Sequence, residues 1–111
     1  METIDYLTFA SVNMHVGTIL EATPNEKARM PAYKLLIDFG PLGTKSSSAQ
    51  ITEHYTPEQL RGMQIIAVLN FEPKRIAGFK SEVLVLAAVS DTEGTVLLQP
   101  TQYVANGARI S

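Results

Sequence analysis

Thr56-Pro57-Glu58-Gln59-Leu60-Arg61-Gly62 interrupts a chain whose other patterned segments mostly read as strand. Thr56 stands where an N-cap is needed and Pro57 takes the first helical position, where its missing N–H loses no bond. Gln59 follows the cap by three residues, and Gly62 stops the helix after one or two turns. On its N-terminal side, Met14, Val16, Thr18 and Leu20 alternate with His15, Gly17, Ile19 and Glu21, and Gly17 predicts a bulge or sharp bend. Tyr33, Leu35, Ile37 and Phe39 then alternate with Lys34, Leu36 and Asp38. Gly40-Pro41-Leu42-Gly43 turns the chain, and Lys45 to Ile51 returns as a hairpin partner.

On the C-terminal side, Met63 to Leu69 and Val83 to Val89 are continuous apolar runs. Thr95 to Gln99 is another, after the turn Asp91-Thr92-Glu93-Gly94. Asn106-Gly107 predicts a hairpin within residues 100–111, and a short helix is expected over about residues 3–9. Three strands, a short helix and two more strands is the order of an all-β, five-stranded Greek-key barrel of the OB type with terminal extensions. The same pattern is compatible with other small barrels.

At 111 residues the chain is expected to form one domain with one core, spanning residues 1–111. A hydrophobic fraction of 45% with 18% charged residues is ordinary for a globular domain. The apolar runs fall short of the roughly 20 residues a spanning helix requires, and Met1-Glu2-Thr3-Ile4-Asp5 lacks a basic signal-like start. These features lead to the expectation of a cytoplasmic protein without membrane insertion. With no cysteine, neither a disulfide framework nor a thiolate metal site is available.

The net charge of −2 conceals a sorting along the chain. Residues 1–26 carry Glu2, Asp5, Glu21 and Glu26 without a Lys or Arg. Residues 27–45 carry Lys27, Arg29, Lys34 and Lys45 against Asp38 alone. Residues 46–60 are acidic again, 61–80 carry Arg61, Lys74, Arg75 and Lys80 against Glu72, and 81–111 return to a negative balance. Two basic blocks thus stand in an acidic background. Small blocks of this kind are ordinarily solvated faces, so the contribution of these two depends on whether the fold unites them.

The second block contains Asn70-Phe71-Glu72-Pro73-Lys74-Arg75-Ile76-Ala77-Gly78-Phe79-Lys80-Ser81. Three cations, two aromatics, a proline and a glycine between strands make it the candidate nucleic-acid contact loop, since small barrels carry binding chemistry on such loops. Lys74 and Arg75 are the leading candidates, with Lys80 beside them. Arg29 and Lys34 follow, because an OB barrel can bring them to the same face. Tyr33 and Phe39 are assigned to the core, and aromatics such as Phe71 and Phe79 more often pack inside than stack on bases.

Ala28-Arg29-Met30-Pro31-Ala32-Tyr33-Lys34-Leu35, Asp38-Phe39-Gly40 and Ser47-Ser48-Ala49-Gln50-Ile51-Thr52 follow one another in a familiar order. With Asn70-Phe71, Pro73, Ile76, Gly78, Phe79 and Ser81-Glu82-Val83-Leu84-Val85-Leu86, they resemble the CsaA family, stand-alone prokaryotic members of the tRNA-binding-domain superfamily. The resemblance runs from about Phe9 to Ile110. It implies an OB fold, a homodimer formed through terminal extensions, binding of the outer corner of tRNA by shape, and a secretion-related chaperone activity toward unfolded preproteins or with export machinery.

In that setting Asn70, Ser47, Ser48 and Ser81 are candidate donors to phosphate or sugar oxygens, with low sequence specificity expected. Asn70 and Ser81 have a structural alternative as caps of strand ends. Ile4, Leu7, Phe9, Tyr103, Val104 and Ile110 are the residues expected to meet across a two-fold interface. The chain departs from the family's usual Asp-Met-Arg-Val-Gly with Asn13-Met14-His15-Val16-Gly17, replacing a fixed cation by one largely neutral near pH 7. It also has Ala87-Ala88 where the family often has glycine, a change that concerns strand packing.

Catalysis has little support. His15 and His54 have no ligand-spaced partner, Ser46-Ser47-Ser48 lacks a nucleophile elbow, and no phosphate-cradling or dinucleotide glycine fingerprint is present. No enzyme, metal or cofactor is expected. The alternative to an RNA-binding protein is a dedicated chaperone with an apolar groove on the dimer, for which RNA binding is incidental.

Overall fold

A computed structural model describes all 111 residues, Met1–Ser111. Strands β1 (Met14–Pro24), β2 (Tyr33–Asp38), β3 (Thr44–Ala49), β4 (Gln64–Val68) and β7 (Leu84–Val85) form one antiparallel sheet in the order β3-β2-β1-β4-β7. The sheet curls into the nearly closed barrel expected from the sequence. Two smaller ribbons complete the chain: β5 (Lys74–Ile76) with β6 (Phe79–Ser81), and β8 (Ala87–Ser90) with β9 (Gly94–Leu97). No helix is long and apolar enough to cross a membrane.

The 11-residue β1 organises the barrel because its two halves face different partners. Met14–Thr18 pairs with Val68–Gln64 of β4, and Thr18–Pro24 pairs with Asp38–Tyr33 of β2. The register of β1 on β2 shifts between Ile19 and Glu21, so the irregularity lies at Leu20, not at Gly17 as the sequence suggested. Gly17 has another reason to lack a side chain. A Cβ there would lie 2.6 Å from the Phe39 ring and 2.7 Å from Ile37 Cγ2, so this glycine lets β1 close over the core.

The core takes Leu35 and Ile37 of β2 and Phe39 just beyond it, the apolar face read from the alternation. It adds Ile19 of β1, which lies in the set opposite Met14, Val16, Thr18 and Leu20, and Ile65 of β4, from a run read as continuously apolar. Leu60 of α2 (Pro57–Leu60) enters the same cluster. The predicted cap forms in full, with Gln59 N–H donating to Thr56 Oγ1 at 3.2 Å and Thr56 N–H donating to Gln59 Oε1 at 2.9 Å. Gly62, at φ +86°, turns the chain out of the helix and donates its N–H to the Ile19 carbonyl at 2.8 Å. Tyr33 and Phe39 lie in the core as expected.

The run Val83 to Val89, read as one strand, divides at Leu86. Leu84 and Val85 pair with β4, and Ala87–Ser90 pair with β9. Leu86 itself donates its N–H to the Ile66 carbonyl of β4 at 2.9 Å, while its own carbonyl accepts from Leu98 N–H at 3.2 Å. The N-terminal helix α1 spans Tyr6–Ala10, later than the expected 3–9, because Asp5 caps it. The Asp5 carboxylate accepts from the Thr8 hydroxyl at 2.7 Å and from Thr8 N–H at 2.8 Å, and these two bonds hold its pKa below the ordinary value.

The C-terminal hairpin does not form. Asn106-Gly107 does make a turn, closed by Ala108 N–H on the Ala105 carbonyl. The chain after it pairs with β1 instead of folding back on residues 100–105. Val16 N–H donates to the Ala108 carbonyl at 2.9 Å, Ile110 N–H to the Met14 carbonyl at 2.9 Å, and His15 bridges Arg109. The reason is topological. The first half of β1 meets β4 on one side only, leaving an unpaired edge whose polar backbone the tail satisfies.

Candidate nucleic-acid interface

The candidate contact loop folds as the β5–β6 hairpin. Ala77 and Gly78 form its two-residue turn at φ +49° and +80°. Its register sets Lys74 opposite Ser81, Arg75 opposite Lys80 and Ile76 opposite Phe79. Strand alternation therefore assigns Ile76, Phe79, Lys74 and Ser81 to one face, and Arg75 and Lys80 to the other. Arg75 and Lys80 are both exposed, and like charges directly opposite one another repel. An anion between them relieves that repulsion.

The first basic block reaches this hairpin through Asn25, a buried polar residue. Asn25 Oδ1 accepts from Lys27 N–H at 3.1 Å, and the Asn25 carbonyl accepts from Ala28 N–H at 3.2 Å, so the side chain and backbone together shape the 25–28 turn. Asn25 Nδ2 donates to the Ile76 carbonyl at 3.4 Å, which sets that turn against β5. Lys27 consequently passes beside Gly78, its Cδ 3.9 Å from the position a Cβ would take there. Arg29 shares a surface cleft with Ile76 and Ala77. Lys34 Nζ lies 5.9 Å from the centroid of the Phe79 ring. Lys27, Arg29 and Lys34 are thereby collected around the hairpin that carries Lys74, Arg75 and Lys80.

A second set of bonds holds the hairpin to β3. Glu82 Oε1 accepts from Ser46 N–H at 3.0 Å and from the Ser46 hydroxyl at 3.0 Å, while Glu82 N–H donates to the Ser46 carbonyl at 2.9 Å. The Ser46 backbone bond is the main cause holding the Glu82 carboxyl below the usual glutamate range. The Ser46 hydroxyl, Lys80 and Lys45 add to it, against an opposing effect of burial. Ser48 N–H donates to Ser81 Oγ at 3.0 Å, completing the seam.

The site residues read from the sequence thus divide. Arg29, Lys34, Lys74, Arg75 and Lys80 share one region. Ser48 and Ser81 lie in the seam beneath the hairpin with partly exposed side chains. Ser47 is a correction: it is 1% exposed and its hydroxyl donates to the Val83 carbonyl at 2.8 Å, because its place in the β3 alternation faces the barrel interior. Asn70 takes the structural role. Its Oδ1 accepts from Asn13 N–H at 2.9 Å and its Nδ2 donates to the Ser11 carbonyl at 2.8 Å, tying the start of β1 to the end of β4. Arg61 lies at the end of α2, outside these contacts, and Arg109 is occupied by Asn13 Oδ1 and the Ala10 carbonyl.

Phe71, which composition places inside, is 57% exposed at the foot of the hairpin. The sequence reading also missed Asn25 as an organiser and Lys27 as a member of the patch. Pro24-Asn25 is a recognisable turn signal, whereas no local pattern announces the exposure of Phe71. Of the terminal residues expected at an interface, Ile4, Leu7 and Tyr103 are 70%, 78% and 79% exposed, while Phe9, Val104 and Ile110 are partly covered by their own chain. His15 is turned to the C-terminal tail, with Nδ1 3.0 Å from the Gly107 carbonyl.

Residues 14–109 match a family described as "Putative tRNA binding domain". Among solved structures, chaperone CsaA from Bacillus anthracis strain Ames is 51% identical, with a TM-score of 0.94 over 99% of this chain and 100% of that one. The CsaA chaperone protein from Picrophilus torridus is 45% identical, with a TM-score of 0.92 over 98% and 100%. Among curated relatives, the methionine–tRNA ligase of Thermococcus kodakarensis is 34% identical over 110 residues, covering 99% of this chain. The chain spans only 14% of the length of that enzyme and 16% of its counterpart from Methanococcoides burtonii.

Proposed function

This chain belongs to the tRNA-binding-domain family and, within it, to the CsaA proteins; on that premise we propose that it binds folded RNA of the tRNA class through the cations gathered on and around the β5–β6 hairpin. The observation that carries the reading is the convergence of two basic segments, separate in sequence, around Ile76, Gly78 and Phe79. Lys27, Arg29, Lys34, Lys74, Arg75 and Lys80 then contact phosphates and release counterions, and the partly exposed Ser48 and Ser81 supply hydroxyl partners. Contacts of that chemistry read backbone shape with little dependence on base sequence. The resemblance to a small part of methionine–tRNA ligases supports a binding module, not a catalyst.

A chaperone activity toward unfolded polypeptides is the second function, supported by the names of the CsaA relatives. The apolar side chains of Ile4, Tyr6, Leu7 and Tyr103 stand largely exposed on the terminal extensions, and a homodimer that covers them accounts for that exposure. The deciding experiment is filter binding of tRNA over a salt series with an unfolded polypeptide as competitor. Affinity that falls steeply with salt supports the reading, a salt-insensitive complex refutes it, and displacement by the polypeptide assigns both activities to one surface.

A further inference from the structure

A cavity of about 470 Å³ opens at the foot of the β5–β6 hairpin, next to the cleft that holds Arg29, with Ser48 and Ile76 lining both. Phe71, Ile76, Val83 and Leu84 supply its apolar wall. Its polar groups are the Ser48 and Ser81 side chains, two carboxylates, Glu72 and Glu82, and Lys74. Phe71 and Leu84 are 57% and 49% exposed, a large apolar area to leave uncovered beside a cationic hairpin.

We propose that this cavity is a subsite for a single unstacked nucleobase, guanine in preference to the others, belonging to an RNA whose phosphates rest on the adjoining cations. The proposal rests on the RNA-binding reading above and adds to it a base-recognising element. Charge decides the occupant. Two carboxylates in the wall repel a phosphate, so the anionic part of a nucleotide pairs with Lys74, the one cation of the lining, while its neutral base takes the apolar part. The Phe71 ring supplies a face for stacking, and the volume lies within the range of small-ligand sites while being tight for more than one nucleoside.

Selectivity follows from Glu82. Its Oε1 is engaged by Ser46 and its Oε2 makes no hydrogen bond, and the bonds from Ser46 keep the group ionised. An ionised carboxylate only accepts. Guanine presents its ring N1–H and exocyclic amine as two adjacent donors, adenine and cytosine present one amine each, and uracil a single imide N–H. Ser81 Oγ accepts from Ser48 N–H, so its own proton is available to a carbonyl oxygen of the base.

The test is titration of the ¹⁵N-labelled full chain with guanosine, adenosine, cytidine and uridine 5′-monophosphates and with inorganic phosphate at matched ionic strength. Amide shifts are followed, and tRNA filter binding is run in parallel. Guanosine monophosphate is expected to move Phe71 and residues 81–84 and to bind at least about fivefold more tightly than uridine monophosphate, whereas phosphate moves the hairpin cations alone. Phe71→Leu, which keeps apolar bulk but removes the stacking face, is expected to weaken binding of guanosine monophosphate and of tRNA about tenfold. Equal affinities for the four nucleotides, or an unchanged Phe71→Leu protein, overturn the subsite. Salt-sensitive tRNA binding in that case leaves the phosphate reading standing, and a seated guanosine monophosphate without tRNA binding refutes the RNA reading alone. Shifts of these amides by an unfolded apolar peptide, with none from any nucleotide, overturn the proposal in favour of a polypeptide site.

Discussion

Lys34 on β2 and Phe79 on β6, 45 positions apart in the chain, meet with the ammonium 5.9 Å from the ring centroid. This contact joins the two basic segments: it draws a cation of the first over an aromatic of the second and leaves the ammonium at a partly exposed rim.

Exchanging Lys34→Gln and Phe79→Leu singly and together is expected to give a coupling of about 0.5–1 kcal/mol in urea unfolding, the range for a partly exposed cation–π pair. A coupling of zero would mean that the two side chains are neighbours without energetic consequence.

Removing two cations from the hairpin tests the phosphate reading directly. Lys74→Ala with Arg75→Ala is expected to weaken tRNA binding and to lower the slope of log affinity against log salt by about 1.4–1.8, since each lost phosphate contact contributes about 0.7–0.9. Arg61→Ala, on the far end of α2, should leave the slope unchanged.

Glu82 makes the seam between β3 and the hairpin pH-dependent. Because its folded pKa is depressed, its stabilisation is fully present above the unfolded glutamate value of about 4.3 and is lost as pH falls through the lower folded value. Glu82→Gln is expected to melt below the parent protein at pH 7, with the gap closing progressively below about pH 4. A gap that is constant across this range would show that the carboxylate charge contributes nothing.

Gly17→Ala is expected to destabilise the fold by about 1–3 kcal/mol, because its methyl group meets Phe39 and Ile37 at 2.6 and 2.7 Å. Chemical unfolding measures this. A neutral result would require that the Phe39 ring moves aside without loss of packing.

The dimer proposed from the terminal extensions is tested by sedimentation at micromolar concentration. The parent chain is expected to sediment as a dimer and Leu7→Asp as a monomer, since burying an unpaired carboxylate in an apolar interface is strongly unfavourable. A monomeric parent chain would remove the proposal.

Local chemistry was legible in the residues themselves. The Thr56–Gln59 capping box, the alternation of Tyr33 to Phe39 and the turn at Gly40 to Gly43 each depend on neighbours within a few positions, so their reading needed no knowledge of distant contacts. The same holds for the division of charge into two basic blocks. What tertiary structure alone decided was where strands find partners and which side chains remain outside. The C-terminal turn feeds β1 because β2 leaves half of that strand unpaired. Ser47 is lost to the interior while Ser48 is not, because the register of β3 against β2 assigns the face. Phe71 stands in solvent because the barrel closes without it. Each outcome is set by how strands pair and close into the barrel, and not by any short window of sequence.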